Sequence, residues 1–236
     1  MPAVMSNMSV KSSFLLIMVG ASAISLFSIS WPRLNASLTY LPVDTAIKNY
    51  YATREIPTLQ LPGLITQARK AIEKHDHYRY HDGLSALYYL RGTDDLSPTL
   101  ERQSALEQAI AEAEISVSIS PARPMTWQRI AQTHDLLRHS SDTIIAPLKM
   151  SIYAGRVEPT LLLGRLELGY KYLDGLDEET KGLLLDQTLV TWKLKPRELT
   201  SAIKNQRILR QGVAQLLSNT NEQQLHEMEA SLEPAW

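Results

Sequence analysis

Three histidines stand close together, His75, His77 and His81, with Asp76 and Asp82 among them. Imidazole nitrogens and carboxylate oxygens are ligands for zinc and related divalent ions. His77 and His81 are four residues apart, the spacing that puts two side chains on one helix face. No further ligand follows at metal-site spacing, and Lys74 to Asp82 has the composition of a polar turn between two helices. The expectation is therefore a solvated turn, with no metal.

Other chemistry finds less support. His134 falls on the apolar face of a segment that begins near Trp127, where a lone histidine serves in a core or groove more readily than as a base. No serine lies in a G-x-S-x-G or S-x-x-K context, and Gly-rich phosphate loops are absent. The carboxylate pairs Asp94-Asp95 and Glu178-Glu179 fall at turns or in first helical turns, where the positive end of the helix dipole accounts for them. The chain has no cysteine, which rules out disulfides, thiolate nucleophiles and Cys-ligated metals. No catalytic residue and no cofactor are expected. Four arginines, Arg123, Arg129, Arg156 and Arg165, fall within one periodic stretch. Arg129 and Arg165 together with His134 form the candidate partner-binding groove. Arg165 sits in an otherwise apolar segment, and a buried charge there demands a partner such as Glu158.

These side chains must be positioned by helices. Prolines at 124, 159 and 196 open successive apolar-periodic segments at spacings of 35 and 37 residues. A tetratricopeptide-type repeat has a period of about 34 residues. Helical periodicity begins at Gly63 with Leu64, Ile65, Ala68, Ala71 and Ile72. A second helix around Leu84 stops at Gly92, and a third runs from Ser97-Pro98 to Ser120. The Trp127 helix pairs with one carrying Ile144, Leu148 and Ile152, in which Pro147 forces a late start near Ala146 or a bend. The segment after Pro159 is apolar nearly all round and should be the most buried helix. Asp177 caps its partner, and Pro196 opens one long last helix to Leu217. The fold class is all-α, a tetratricopeptide-like stack of antiparallel helix pairs over residues 63–218, with 219–236 as a polar tail or capping helix.

From Ser12 to Pro32 there are 21 residues without a charge, flanked by Lys11, Trp31 and Arg33. At about 1.5 Å rise per residue this covers roughly the 30 Å of a bilayer's hydrocarbon core. A signal peptide cleaved at Ala21-Ser22-Ala23 is the rival, but it would leave Ile24, Leu26, Phe27 and Ile29 exposed at the new terminus. The reading is a transmembrane signal anchor over 12–32, after a cytoplasmic N-terminus of residues 1–11. Residues 33–62 then read as a tether interrupted by Pro42, Pro57 and Pro62, with room for a short helix around Asp44 to Arg54 that sets Ile47 and Tyr50 or Tyr51 on one side. This places a single-pass protein in the inner membrane, with its bulk on the extracytoplasmic side. With 24 basic and 25 acidic residues, no nucleic-acid footprint is present overall.

The text Ser120-Pro121-Ala122-Arg123-Pro124-Met125-Thr126-Trp127, with Lys149 to Pro159 and Arg165-Leu166-Glu167-Leu168-Gly169, resembles the VpsP-like polysaccharide biosynthesis proteins. These are membrane-anchored, helical-repeat accessory proteins from exopolysaccharide gene clusters. Where relatives carry an aspartate in the first turn, this chain has Arg123. The resemblance implies a non-enzymatic accessory or scaffold role in extracellular polysaccharide synthesis or export. The partners would be envelope polysaccharide-assembly proteins, with contact to the glycan a further expectation. A tetratricopeptide-like scaffold of another envelope complex, in division or secretion, is the alternative.

Overall fold

The computed structural model describes residues 10–53, 55, 58–95 and 97–218. Among these there are ten α-helices and no strand: α1 Val10–Thr53, α2 Leu61–Lys74, α3 Tyr78–Thr93, α4 Thr99–Ile119, α5 Pro124–Leu136, α6 Ser141–Ala154, α7 Leu162–Lys171, α8 Glu178–Leu194, α9 Pro196–Asn205 and α10 Arg207–Ser218. The protein is all-α. Its long N-terminal helix is apolar and extended enough to cross a membrane. Residues 1–9 and the 219–236 tail lie outside the described part.

Helices pair with their neighbours in sequence. α2 runs back along α1, so that Lys74 Nζ reaches Asn35 Oδ1 at 2.9 Å and Thr39 Oγ1 at 2.6 Å. α3 and α4 are antiparallel, tied by Ser85 to Ala109 O (2.7 Å) and Ser116 to Tyr78 O (3.0 Å). In the α5–α6 pair Ser151 Oγ donates to Pro124 O (2.8 Å), while Ala131 packs with Ile144 and Leu148. In the α7–α8 pair Arg165 meets Gln187, and Gly169 meets Leu184. α10 folds back so that Gly212 lies under the Tyr170 ring.

The expected tether over 33–62 is corrected. α1 continues through Pro32 and Pro42 to Thr53 without a break. Proline removes one helical bond and crowds the preceding turn, yet the outlay is offset by burial. Ala36, Tyr40 and Val43 are 0%, 4% and 0% exposed, packed in one core with Leu61, Leu64 and Leu84. α3 receives this helix through a gap at Gly83, where a Cβ would stand 1.6 Å from the Tyr40 hydroxyl. The second half of α1 is thus the first helix of the helical domain.

Three further expectations change in detail. Gly92 does not end α3, which runs to Thr93. Its missing side chain instead admits α4, since a Cβ there would lie 2.5 Å from Leu106. α6 begins at Ser141, five residues ahead of Ala146, and carries Pro147 inside it. The last helix is two, divided at Gln206, whose extended backbone (φ −115°, ψ 111°) turns α10 back onto α7. α7 is buried on Leu162, Arg165, Leu166, Leu168 and Tyr170, and α3 is buried as thoroughly.

Candidate functional site

A concave groove of about 670 Å³ runs along the first helix of each pair. Ligand clefts fall in the same range, roughly 300–1,000 Å³. The last turn of α1 supplies Tyr50 and Tyr51, α3 supplies Tyr89, α5 supplies Gln128 and Gln132, and α7 supplies Gly164 and Glu167. The Tyr50 and Tyr51 rings meet edge to face, 5.4 Å between centroids. Lys195, between α8 and α9, stands at the far rim.

The floor is made of carboxamides. Gln128 and Gln132 are four apart on α5 and both face Gly164, where a Cβ would lie 2.4 Å and 3.2 Å from their Nε2 atoms. A glycine at this position lets α7 approach the two amides. Gln128 is 5% exposed, and its Oε1 has no hydrogen-bond partner among the described residues. A buried amide oxygen left unpaired costs about 1–3 kcal/mol.

The arginine of the groove is neutralised within the fold. Arg129 Nη1 donates to the Asp82 carboxylate (3.0 Å) and to the Asp82 carbonyl (2.8 Å), and Tyr51 also hydrogen-bonds the guanidinium. Burial alone would raise Asp82, but Arg129, the Thr126 hydroxyl (2.6 Å) and Arg123 (3.2 Å) outweigh it and hold its carboxyl below the usual range. Glu167 accepts from Gln206 at 2.6 Å. The groove therefore presents aromatic faces and amides, with Glu167 and Lys195 as its remaining charged side chains.

The three residues expected to form a groove are not brought together. Arg129 lines it, with its guanidinium committed to Asp82. His134 lies toward the other end of α5, its Nδ1 2.7 Å from His139 Nδ1, and burial and then the second ring depress its pKa. Arg165 is 0% exposed and turned into the α6–α7–α8 layer. Among the described residues no carboxylate contacts it. Nε donates to Ser151 Oγ (3.1 Å), Nη1 to Gly155 O (2.9 Å) and Gln187 Oε1 (3.0 Å), and Nη2 to Ser151 O (2.6 Å). Two of these acceptors are carbonyls at the C-terminal end of α6, the negative end of its dipole, which takes the place of a counter-ion. Burial lowers the Arg165 pKa to about 10, with distant Glu158 opposing. Arg156 is likewise occupied, in a two-pronged pair with Asp186 (2.9 and 2.5 Å).

The histidines do not meet at one point either: the His75 and His77 rings stack, 5.9 Å between centroids, while His81 is held elsewhere. His77 caps α3, accepting from Arg79 N at 3.3 Å. His81 lies inside α3, with Nδ1 2.6 Å from Glu112 and Nε2 2.9 Å from Asp76. Both of its nitrogens are taken by carboxylates, so it joins α3 to α4 and to the preceding turn. In the Glu178-Glu179 pair, Glu179 is held by Lys149 at 2.5 Å and by the Tyr153 hydroxyl.

Sequence reasoning missed Tyr50, Tyr51, Tyr89, Gln128, Gln132 and Glu167. The two adjacent tyrosines join the groove only because α1 stays helical past Pro42. The i, i+4 glutamine pair opposite a glycine is the one local signal that was open to reading. No family model, no curated protein and no solved structure matches this chain.

Proposed function

We propose that the chain is a non-catalytic, single-pass scaffold of extracellular polysaccharide assembly, anchored in the inner membrane with its helical domain on the extracytoplasmic side. The observation that carries the scaffold part is the continuity of α1. One helix leads from the exposed apolar residues Ile24, Leu26, Phe27 and Ile29, through the core at Ala36, Tyr40 and Val43, to the groove wall at Tyr50 and Tyr51. Eighteen residues separate Pro32 from Tyr50, about 27 Å of helix at 1.5 Å per residue. A groove at that height suits a part that holds another component near a bilayer. The resemblance of residues 120–169 to VpsP-like proteins supports the polysaccharide assignment. Arg123 and Arg129 are engaged with Asp82 and Glu167 with Gln206, which supports a holding rather than a catalytic role.

The occupant is first a segment of a partner protein. A hydroxyl-rich glycan is the second reading, favoured by three tyrosines beside two carboxamides, one of them unpaired. A photo-crosslinker placed at Gln132 in the full chain, in native membranes, tests both. The expected product joins the chain to a polysaccharide-assembly protein, or to glycan. Crosslinks confined to division or secretion proteins would overturn the polysaccharide assignment.

A further inference from the structure

The face of α1 opposite the domain carries an apolar series that the fold leaves uncovered. Ile17, Gly20, Ile24, Phe27, Trp31, Leu34, Leu38 and Leu41 follow one another at alternating steps of three and four. This is the 3.5-residue repeat of a two-helix seam, not the wider stripe of a helix packed on a globular core. Apolar exposure up to Trp31 is what lipid requires. Beyond Arg33 lipid no longer explains it, yet Leu34, Leu38 and Leu41 are 51%, 62% and 58% exposed. The domain cannot cover them, because it grips α1 by Ala36, Tyr40 and Val43 on the other side.

Two observations identify the occupant. Gly20 lies on the seam inside an apolar helix, and nothing among the described residues comes within 4 Å of where its Cβ would stand. Glycine disfavours a helix by about 1 kcal/mol relative to alanine, and nothing in the single chain accounts for it. Close approach of a second backbone does, as small residues allow in membrane helix pairs. The positions beside the seam, Ala23, Ser28, Ser30, Asn35, Ser37 and Pro42, carry no charge. The next, Asp44, is neutralised by its own Lys48 and by Arg79, each at 2.8 Å. Lys74, from α2, reaches Asn35 and Thr39 on one flank only, the side away from Ala23, Ser30 and Ser37. An identical seam therefore sets no charge of its own side chains against a like charge, and identical chains inserted in one membrane are parallel and in register.

We infer that α1 is a dimerisation helix: a second copy of this chain packs along Ile17 to Leu41, in the bilayer and for two turns above it. The parallel sense, and the placing of Leu34 to Leu41 beyond the lipid, rest on the membrane-anchored reading; the three-four spacing of the exposed apolar residues does not.

The natural absence of cysteine makes the test direct. Single substitutions Leu34→Cys, Leu38→Cys and Leu41→Cys are made in the full chain, with Ile29→Cys and Arg33→Cys as positions off the seam. Each variant is reconstituted in proteoliposomes and oxidised. Disulfide dimers at 34, 38 and 41, with at least several-fold less at 29 and 33, are the expected result. Monomer throughout, or equal crosslinking at every position, overturns the inference. Leu38→Asp should convert the dimer to monomer in detergent with unchanged helical content, since the fold does not use Leu38; a dimer that persists counts against the seam. Carbonate extraction separates the two readings: a chain released from the vesicles refutes the anchor, whereas a retained monomer refutes only the pairing.

Discussion

Arg165→Met replaces a fully buried guanidinium by an apolar side chain of similar length, and its effect follows from what the arginine holds. Its four donated bonds satisfy the Ser151 and Gly155 carbonyls at the end of α6 and the Gln187 amide oxygen of α8. Methionine leaves these three oxygens without a donor. Ser151 Oγ stays engaged, because it donates to Pro124 O. At about 1–3 kcal/mol for each orphaned acceptor the gross loss is about 3–9 kcal/mol. Against it stands relief from burying a charge with no contacting carboxylate, a cost of several kcal/mol in real interiors. A net destabilisation of about 3 kcal/mol is expected, or a fall in Tm of about 6–12 °C for a chain of this size. Thermal unfolding of the full chain in nanodiscs, followed by far-UV circular dichroism, measures it. Hydrogen exchange should quicken first across residues 151–155 and 184–188. Arg165→Lys should recover only part of the loss, because one ammonium cannot span acceptors on two helices. An Arg165→Met variant as stable as the natural chain, or more so, would refute the claim that helix-end carbonyls replace a counter-ion.

Other expectations concern the joints between pairs. Asp82→Asn keeps the Thr126 bond but strands the buried Arg129, which should lower stability by about 3–5 kcal/mol, read as a Tm shift. Gly83→Ala drives a methyl into the Tyr40 ring, and overpacking of this kind costs about 1–3 kcal/mol; exchange should rise over residues 36–47 and leave 141–194 unchanged. His81 gives a pH signature. Glu112 raises its pKa above the usual 6.5, burial opposes, and Asp76 adds to the rise. A group whose folded pKa lies above its unfolded one stabilises fully below about 6.5 and loses that contribution as pH climbs through the folded value. The Tm difference between the natural chain and His81→Gln should be greatest near pH 5.5 and shrink toward pH 9; a difference constant with pH contradicts the carboxylate clamp.

Helix starts written in local chemistry were legible from the residues alone. Pro124 and Pro196 open α5 and α9, and Asp177 Oδ1 accepts from Thr180 N at 2.7 Å to cap α8. Pro159 misled by three residues, since α7 begins at Leu162. Pro42 misled more, because its local penalty is outweighed by burial against α2 and α3, elements with no sign in the sequence around it. The groove was illegible for a related reason. Tyr51, Tyr89, Gln132 and Glu167 come from four helices and meet only when the stack is assembled. Arg165 was correctly singled out as a charge in apolar surroundings, but its partners are main-chain carbonyls, which composition does not reveal.

The two prolines of α1 are mechanically unequal. At Pro42 the missing bond is splinted, because the helix is clamped on either side by Tyr40 and Val43 in the core. At Pro32 no other helix of the same chain grips the rod, and prolines are where helices bend by more than about 20°. Within one chain the compliance between bilayer and domain is therefore concentrated at one residue, and a paired α1 would be its splint. A 20° deflection there would swing Tyr50 sideways by about 9 Å, taking a lever of about 27 Å. It would lower the groove by less than about 2 Å over the same lever. The joint sets the groove's bearing and leaves its height almost untouched.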